Sequence, residues 1–116
     1  MSKINYDNKT FASLQNSENS EVDSETVFQY HQKDDLVWAE YEGGEIVFGS
    51  LIAKVAENDC LDMRYQHLNS KGQLMTGKCV STPETLPDGK IRLFEKWQWT
   101  SGDLSSGTSI IEEVKL

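Results

Sequence analysis

A pair of glycines, Gly43-Gly44, separates Leu36-Val37-Trp38-Ala39-Glu40-Tyr41-Glu42 from Glu45-Ile46-Val47-Phe48-Gly49-Ser50-Leu51. Paired glycines supply the backbone freedom of a tight hairpin, and the β-branched and aromatic residues on either side supply the strands it joins. The cadence recurs. Lys33-Asp34, Glu57-Asn58-Asp59, Ser70-Lys71-Gly72, Pro83 to Gly89 and Gly102 to Gly107 each follow a stretch rich in Val, Ile, Thr, Phe, Tyr or Trp, and no stretch carries capped helical periodicity. The chain therefore reads as an all-β, antiparallel up-and-down meander of about eight strands, the usual number for a small closed barrel. Closure removes both exposed edges and leaves one interior and one mouth.

With 116 residues the chain makes a single domain and leaves no room for a separate substrate or regulatory domain. Residues 1–9 are polar and read as a flexible N-terminal segment, with the barrel domain over 10–116. Asn16 to Ser24, rich in Ser, Asn and Glu, reads as a loop and as the best candidate for a flap over one end. The formal charge of −8 argues against phosphate-backbone binding and against anionic membrane surfaces, since both need clustered Lys and Arg. No nucleic-acid or membrane partner is expected. The first residues contain no apolar signal-peptide core and no window reaches the ~20 apolar residues of a spanning helix, so a cytoplasmic protein is expected.

Cys60 and Cys79 sit in ordinary strand contexts and are not expected to form a disulfide. Two thiols and two separated histidines fall short of a zinc ligand set, and no cofactor is expected. No serine lies in a Gly-x-Ser-x-Gly turn. Adjacent acids such as Glu112-Glu113 and Asp34-Asp35 point to opposite faces of a strand, so they cannot share one substrate. No catalytic residues follow from these patterns.

Within a hairpin, facing residues have a constant number sum, so turn registers assign faces. Pairing Glu42 with Glu45, Glu57 with Cys60 and Asn69 with Gly72 places His31, Trp38, Gly49, Leu51, Ala53, Arg64, Gln66, Gly77 and Cys79 on one face, with Trp38 covering Gly49. The other face collects Phe28, Tyr30, Val37, Ala39, Tyr41, Phe48, Ile52, Met63, Tyr65 and His67. The first face mixes small and polar residues, as a pocket does. If the Ile91, Leu93, Glu95, Trp97, Trp99 set of the seventh strand faces the same interior, Glu95 pairs with Arg64 and Trp97 lies nearby. The expected ligand site is then Arg64, Gln66 and His31 for directional bonds, Glu95 to orient the arginine, and Trp38 and Trp97 as apolar wall. The competing reading is a structural Arg64–Glu95 ion pair inside a filled barrel.

Trp38 to Ile46, Leu61-Asp62-Met63-Arg64-Tyr65-Gln66-His67, and Glu95-Lys96-Trp97-Gln98-Trp99-Thr100-Ser101-Gly102-Asp103 resemble a family of small bacterial proteins commonly labelled N-acetylglutamate synthase. The resemblance runs from Thr10 onward and implies a compact calycin-like barrel, of the lipocalin and streptavidin kind. It carries no catalytic residues to this chain. The Arg/Gln-x-x-Gly-x-Gly/Ala loop and following helix, with which acetyltransferases hold a pyrophosphate, are missing. The leading functional expectation is a non-catalytic binder of a small anionic or amphipathic molecule in the barrel interior. The alternatives are a protein-interaction module acting as a homodimer, for which both faces are apolar enough, and an N-acetylglutamate synthase-like acetyltransferase.

Overall fold

A computed structural model describes residues 4–115. Eight strands run β1 (Lys9–Asn16), β2 (Val27–Lys33), β3 (Leu36–Gly43), β4 (Ile46–Val55), β5 (Leu61–Asn69), β6 (Leu74–Thr85), β7 (Ile91–Trp99) and β8 (Ser106–Val114). Each pairs antiparallel with the next, and β8 returns to β1, closing the barrel. The all-β, up-and-down expectation holds, and no described helix is long and apolar enough to cross a membrane. Strand β7 shows why the sequence folds this way. Ile91, Leu93, Glu95, Trp97 and Trp99 are buried, while Phe94, Lys96 and Gln98 between them are exposed, the period of two that a closed sheet with one dry face demands.

The turns depart from the expected registers, each by an odd number, and an odd slip moves a strand's side chains to the opposite face. At the β3–β4 hairpin Gly43 pairs with Ile46 and the register shifts before Tyr41, so Tyr41 faces Gly49 and Trp38 faces Ile52. Gly43 and Gly44, at φ +122° and +62°, let the turn take this extra length. The β4–β5 connection is a 3₁₀ turn over Glu57–Asp59 with Asn58 and Asp59 at positive φ, closed by Ala56 N–H donating to the Cys60 carbonyl at 2.7 Å. At β5–β6 the Asn69 N–H donates to the Gln73 carbonyl, and its side-chain Oδ1 accepts from Lys71 N and Gln73 N. That side-chain turn sets the pairing one residue beyond Gly72.

Strands β2, β3 and β5 thus turn the second expected face inward, whereas β4 and β6 turn the first. Phe28, Tyr30, Val37, Ala39, Tyr41, Met63 and His67 join Leu51, Ala53 and Cys79 in the core. Ile46 joins them through a register irregularity between Ile46 and Phe48.

The two ends of the barrel are closed differently. At the end carrying the β2–β3, β4–β5 and β6–β7 turns, Tyr6 is fully buried, its hydroxyl donating to the Asp59 carbonyl at 2.6 Å and its N–H to Gln32 Oε1 at 2.8 Å. The sequence reading gives residues 1–9 no part in the core; Tyr6 has one, packed against Tyr30 with ring centroids 6.3 Å apart. The other end is crossed by the β1–β2 connection, residues 17–26.

Candidate functional site

Under that connection lies a cavity of about 50 Å³, enough for a few water molecules. Phe28, Tyr41, Leu51, Met63, Tyr65, Cys79, Trp97 and Trp99 form its walls, Glu95 and Ser109 its polar floor, His67 one side, and Ser20, Glu21 and Val22 its roof.

Three wall aromatics are seated by one repeated device. Tyr41 lies across from Gly49, Tyr65 across from Gly77, and Trp97 across from Gly107. In each pair a Cβ on the glycine would collide with the ring of the facing aromatic. A glycine in the next strand thus gives each ring room to lie against the sheet, the arrangement expected at Gly49 but with Tyr41 in place of Trp38.

The floor is an acid that no Lys, Arg or His among the described residues pairs with. Glu95 is 9% exposed and accepts from Ser81 Oγ at 2.9 Å and Ser109 Oγ at 3.2 Å. Burial pushes its pKa from the usual 4.5 up to about 7, while the two hydroxyls pull it back in part. Beside it the Tyr30 hydroxyl is buried with no hydrogen-bond partner among the described residues. Burial also drives the Cys79 thiol far above its ordinary range, so it stays protonated.

His67, with a side chain 1% exposed, bonds at both ring nitrogens: Nδ1 to the Tyr41 hydroxyl at 2.9 Å and Nε2 to Glu21 Oε1 at 2.8 Å. Asn69 Nδ2 donates to both Glu21 oxygens, at 3.3 and 3.1 Å. The roof is tied down on both flanks. Trp99 Nε1 donates to the Asn19 carbonyl, Asn19 Nδ2 donates to Ser105 Oγ and the Ser106 carbonyl, and Thr26 Oγ1 donates to the Gly43 carbonyl. A side chain at Gly43 or Gly44 would strike Glu25 and Thr26 or the Asp23 carboxylate, so the hairpin glycines also make room for this loop.

Of the expected site residues, Glu95 and Trp97 face the cavity. The other four stand on the outer wall because β2, β3 and β5 present the opposite face to that expected. Arg64 is 63% exposed and donates to Asp62 Oδ1 at 2.8 Å, so it makes no pair with Glu95. Gln66 donates to Ser50 Oγ at 2.9 Å. His31 bonds Glu40 Oε1 at 2.9 Å and lies 5.4 Å from the Trp38 ring. Tyr41, Glu21, Ser81 and Ser109 are not among the expected site residues. For Tyr65 the signal was available: requiring an aromatic across from Gly77 selects the observed β5–β6 register, whereas Gly49 has an aromatic across from it in either register, Trp38 or Tyr41.

A closed eight-stranded meander with an aromatic-walled cavity at one end is a barrel of the calycin-like kind. A family model described as "avidin-like protein" matches residues 4–114, and the chain belongs to that avidin-like family. Neither the curated proteins nor the solved structures give a match to it.

Proposed function

We propose that this protein binds a small amphipathic molecule inside the lidded end of its barrel. The observation that carries the reading is the set of facing pairs Tyr41–Gly49, Tyr65–Gly77 and Trp97–Gly107, which hold aromatic faces around unfilled space above a buried, neutral-leaning acid. A barrel selected only for stability fills such space with side chains. Apolar rings with a few convergent polar groups are the composition of a small-molecule site. With Arg64 outside, no Lys or Arg among the described residues lines the cavity, which favours a ligand whose buried end is uncharged.

The test is a titration of the full chain with small amphipathic compounds, read by tryptophan emission, since Trp97 and Trp99 line the cavity, and by thermal shift. Binders are expected to change emission and raise Tm, and Leu51→Trp, which fills the cavity, is expected to abolish both effects. Equal response of the filled variant would overturn the interior site.

A second reading, self-association, rests on the outer wall. Phe48, Leu68 and Leu74 stand side by side across β4, β5 and β6, with Phe48 51% and Leu74 78% exposed. Large exposed apolar side chains in contact mark association surfaces. Light scattering of the wild type and of Phe48→Glu distinguishes a dimer broken by the charge from a monomer unaffected by it.

A further inference from the structure

The carboxylate of Glu21 sits in a site built to hold one. Asn69 Oδ1 accepts from Lys71 N at 3.1 Å and Gln73 N at 2.9 Å, which fixes the amide so that its NH₂ group donates to Glu21 on one side and to Gln73 Oε1, at 3.0 Å, on the other. The His67 ring is fixed by Tyr41, whose hydroxyl also lies 3.3 Å from the Gln66 carbonyl. With the imidazole neutral, the hydroxyl donates to Nδ1 and leaves the proton on Nε2. With the imidazole charged, Nδ1 donates to the hydroxyl, which turns to the Gln66 carbonyl. In both states Nε2 presents a proton to Glu21. Two buried side chains thus offer converging donors to two carboxylate oxygens, and no Lys or Arg bridges to Glu21 among the described residues.

The occupant comes from the loop, not from the barrel. Glu21 is 25% exposed, on a turn in which Val22 N donates to Ser20 Oγ, while His67 and Asn69 belong to β5 and are buried. The space left beneath it, about 50 Å³, is far below the ~300 Å³ at which small-molecule sites begin, so a ligand of ordinary size needs the volume that Glu21 and Val22 now fill.

We propose that His67 Nε2 and Asn69 Nδ2 form a carboxylate-binding subsite that Glu21 occupies when no ligand is present, and that the ligand is a small carboxylate with an apolar body, whose own carboxylate replaces Glu21 as the loop lifts. The ligand half of this inference rests on the interior-binding reading above; the subsite stands without it. Its acid end lies at the mouth on two donors and its apolar end against Tyr65, Trp97 and Met63, away from the carboxyl of Glu95.

Chemical rescue tests it. Glu21→Ala empties the subsite on a partly exposed loop, and acetate at millimolar concentration is expected to raise its Tm saturably relative to chloride at equal ionic strength. Acetate is expected to leave the wild type and the double variant Glu21→Ala/Asn69→Ala unmoved. Phenylacetate is expected to bind Glu21→Ala at least tenfold more tightly than it binds the wild type, and phenylacetamide to gain nothing. Absence of an acetate-specific effect on folded Glu21→Ala would overturn the subsite. Acetate rescue with no advantage of phenylacetate over acetate keeps the subsite and overturns the interior ligand. Should Glu21→Ala not fold, ¹⁵N spectra of the His67 imidazole in the wild type serve instead. A shift with phenylacetate but not with phenylacetamide supports the exchange, and no shift with either contradicts it.

Discussion

In the plugged half of the barrel Phe11, Tyr30, Val37, Leu61, Leu93 and Ile111 are at most 1% exposed, with Tyr6 sealing the end. In the lidded half the same inward positions carry Tyr41, His67, Glu95, Trp97 and Ser109, and a cavity remains among them. Both halves belong to the same strands, so the contrast is set by residue choice along each strand and not by topology. One half maximises apolar contact. The other keeps rings apart with facing glycines, buries an acid on two hydroxyls, and admits a loop carboxylate. A site of this kind is carried by a scaffold whose stability resides elsewhere.

The contrast is broken most strongly in the plugged half. Phe11→Ala, which removes a ring lying tilted against Tyr30 with centroids 4.7 Å apart, is expected to cost about 3–5 kcal/mol by denaturant unfolding. A loss below about 1 kcal/mol would show that this half is not the stability-bearing one.

Glu95 sets the next effect. Its folded pKa of about 7 lies above the ordinary 4.5. The stability associated with its protonated form is therefore complete below pH 4.5, declines as pH rises, and is lost once pH passes about 7. The difference amounts to about 3 kcal/mol. Glu95→Gln removes this dependence, so the difference in stability between wild type and Glu95→Gln should change across pH 4.5–7. A difference that stays constant over that range would mean that Glu95 is ionised in the fold.

Gly77→Ala presses on the Tyr65 ring and is expected to cost about 1–3 kcal/mol, with any interior ligand weakened as well. An unchanged midpoint would mean that the facing glycine is dispensable. At the small end, Arg64→Ala on the outer wall should alter stability by no more than about 0.5 kcal/mol, because its pair with Asp62 is exposed on both sides. A loss of several kcal/mol would place Arg64 in the interior after all.

The legibility of the sequence divides along similar lines. Strand number, direction and closure followed from alternation and turn chemistry, which are local. Even the interior set of β7 was legible, since Glu95 and Trp97 lie in a strict period of two. Arg64, Gln66, His31 and Trp38 stand on the outer wall instead because a face assignment propagates through turns. Gly43-Gly44, the positive-φ pair Asn58-Asp59 and the Asn69 side chain each set their connections off the simple count. The Glu21–His67 contact joins residues 46 apart in the chain, and no short-range pattern announces it. One long-range signal was within reach: an aromatic required across from Gly77 gives the sum of 142 for Tyr65 with Gly77 and so the observed β5–β6 register, while Gly49 accepts Trp38 or Tyr41 and leaves the β3–β4 register open.

Native mass spectrometry of the wild type and of Leu51→Trp, both purified from the protein's own host, tests the central claim most directly. A small retained mass is expected on the wild type and not on the filled variant. A wild type carrying no such mass, or an equal mass on both chains, would contradict binding inside the barrel.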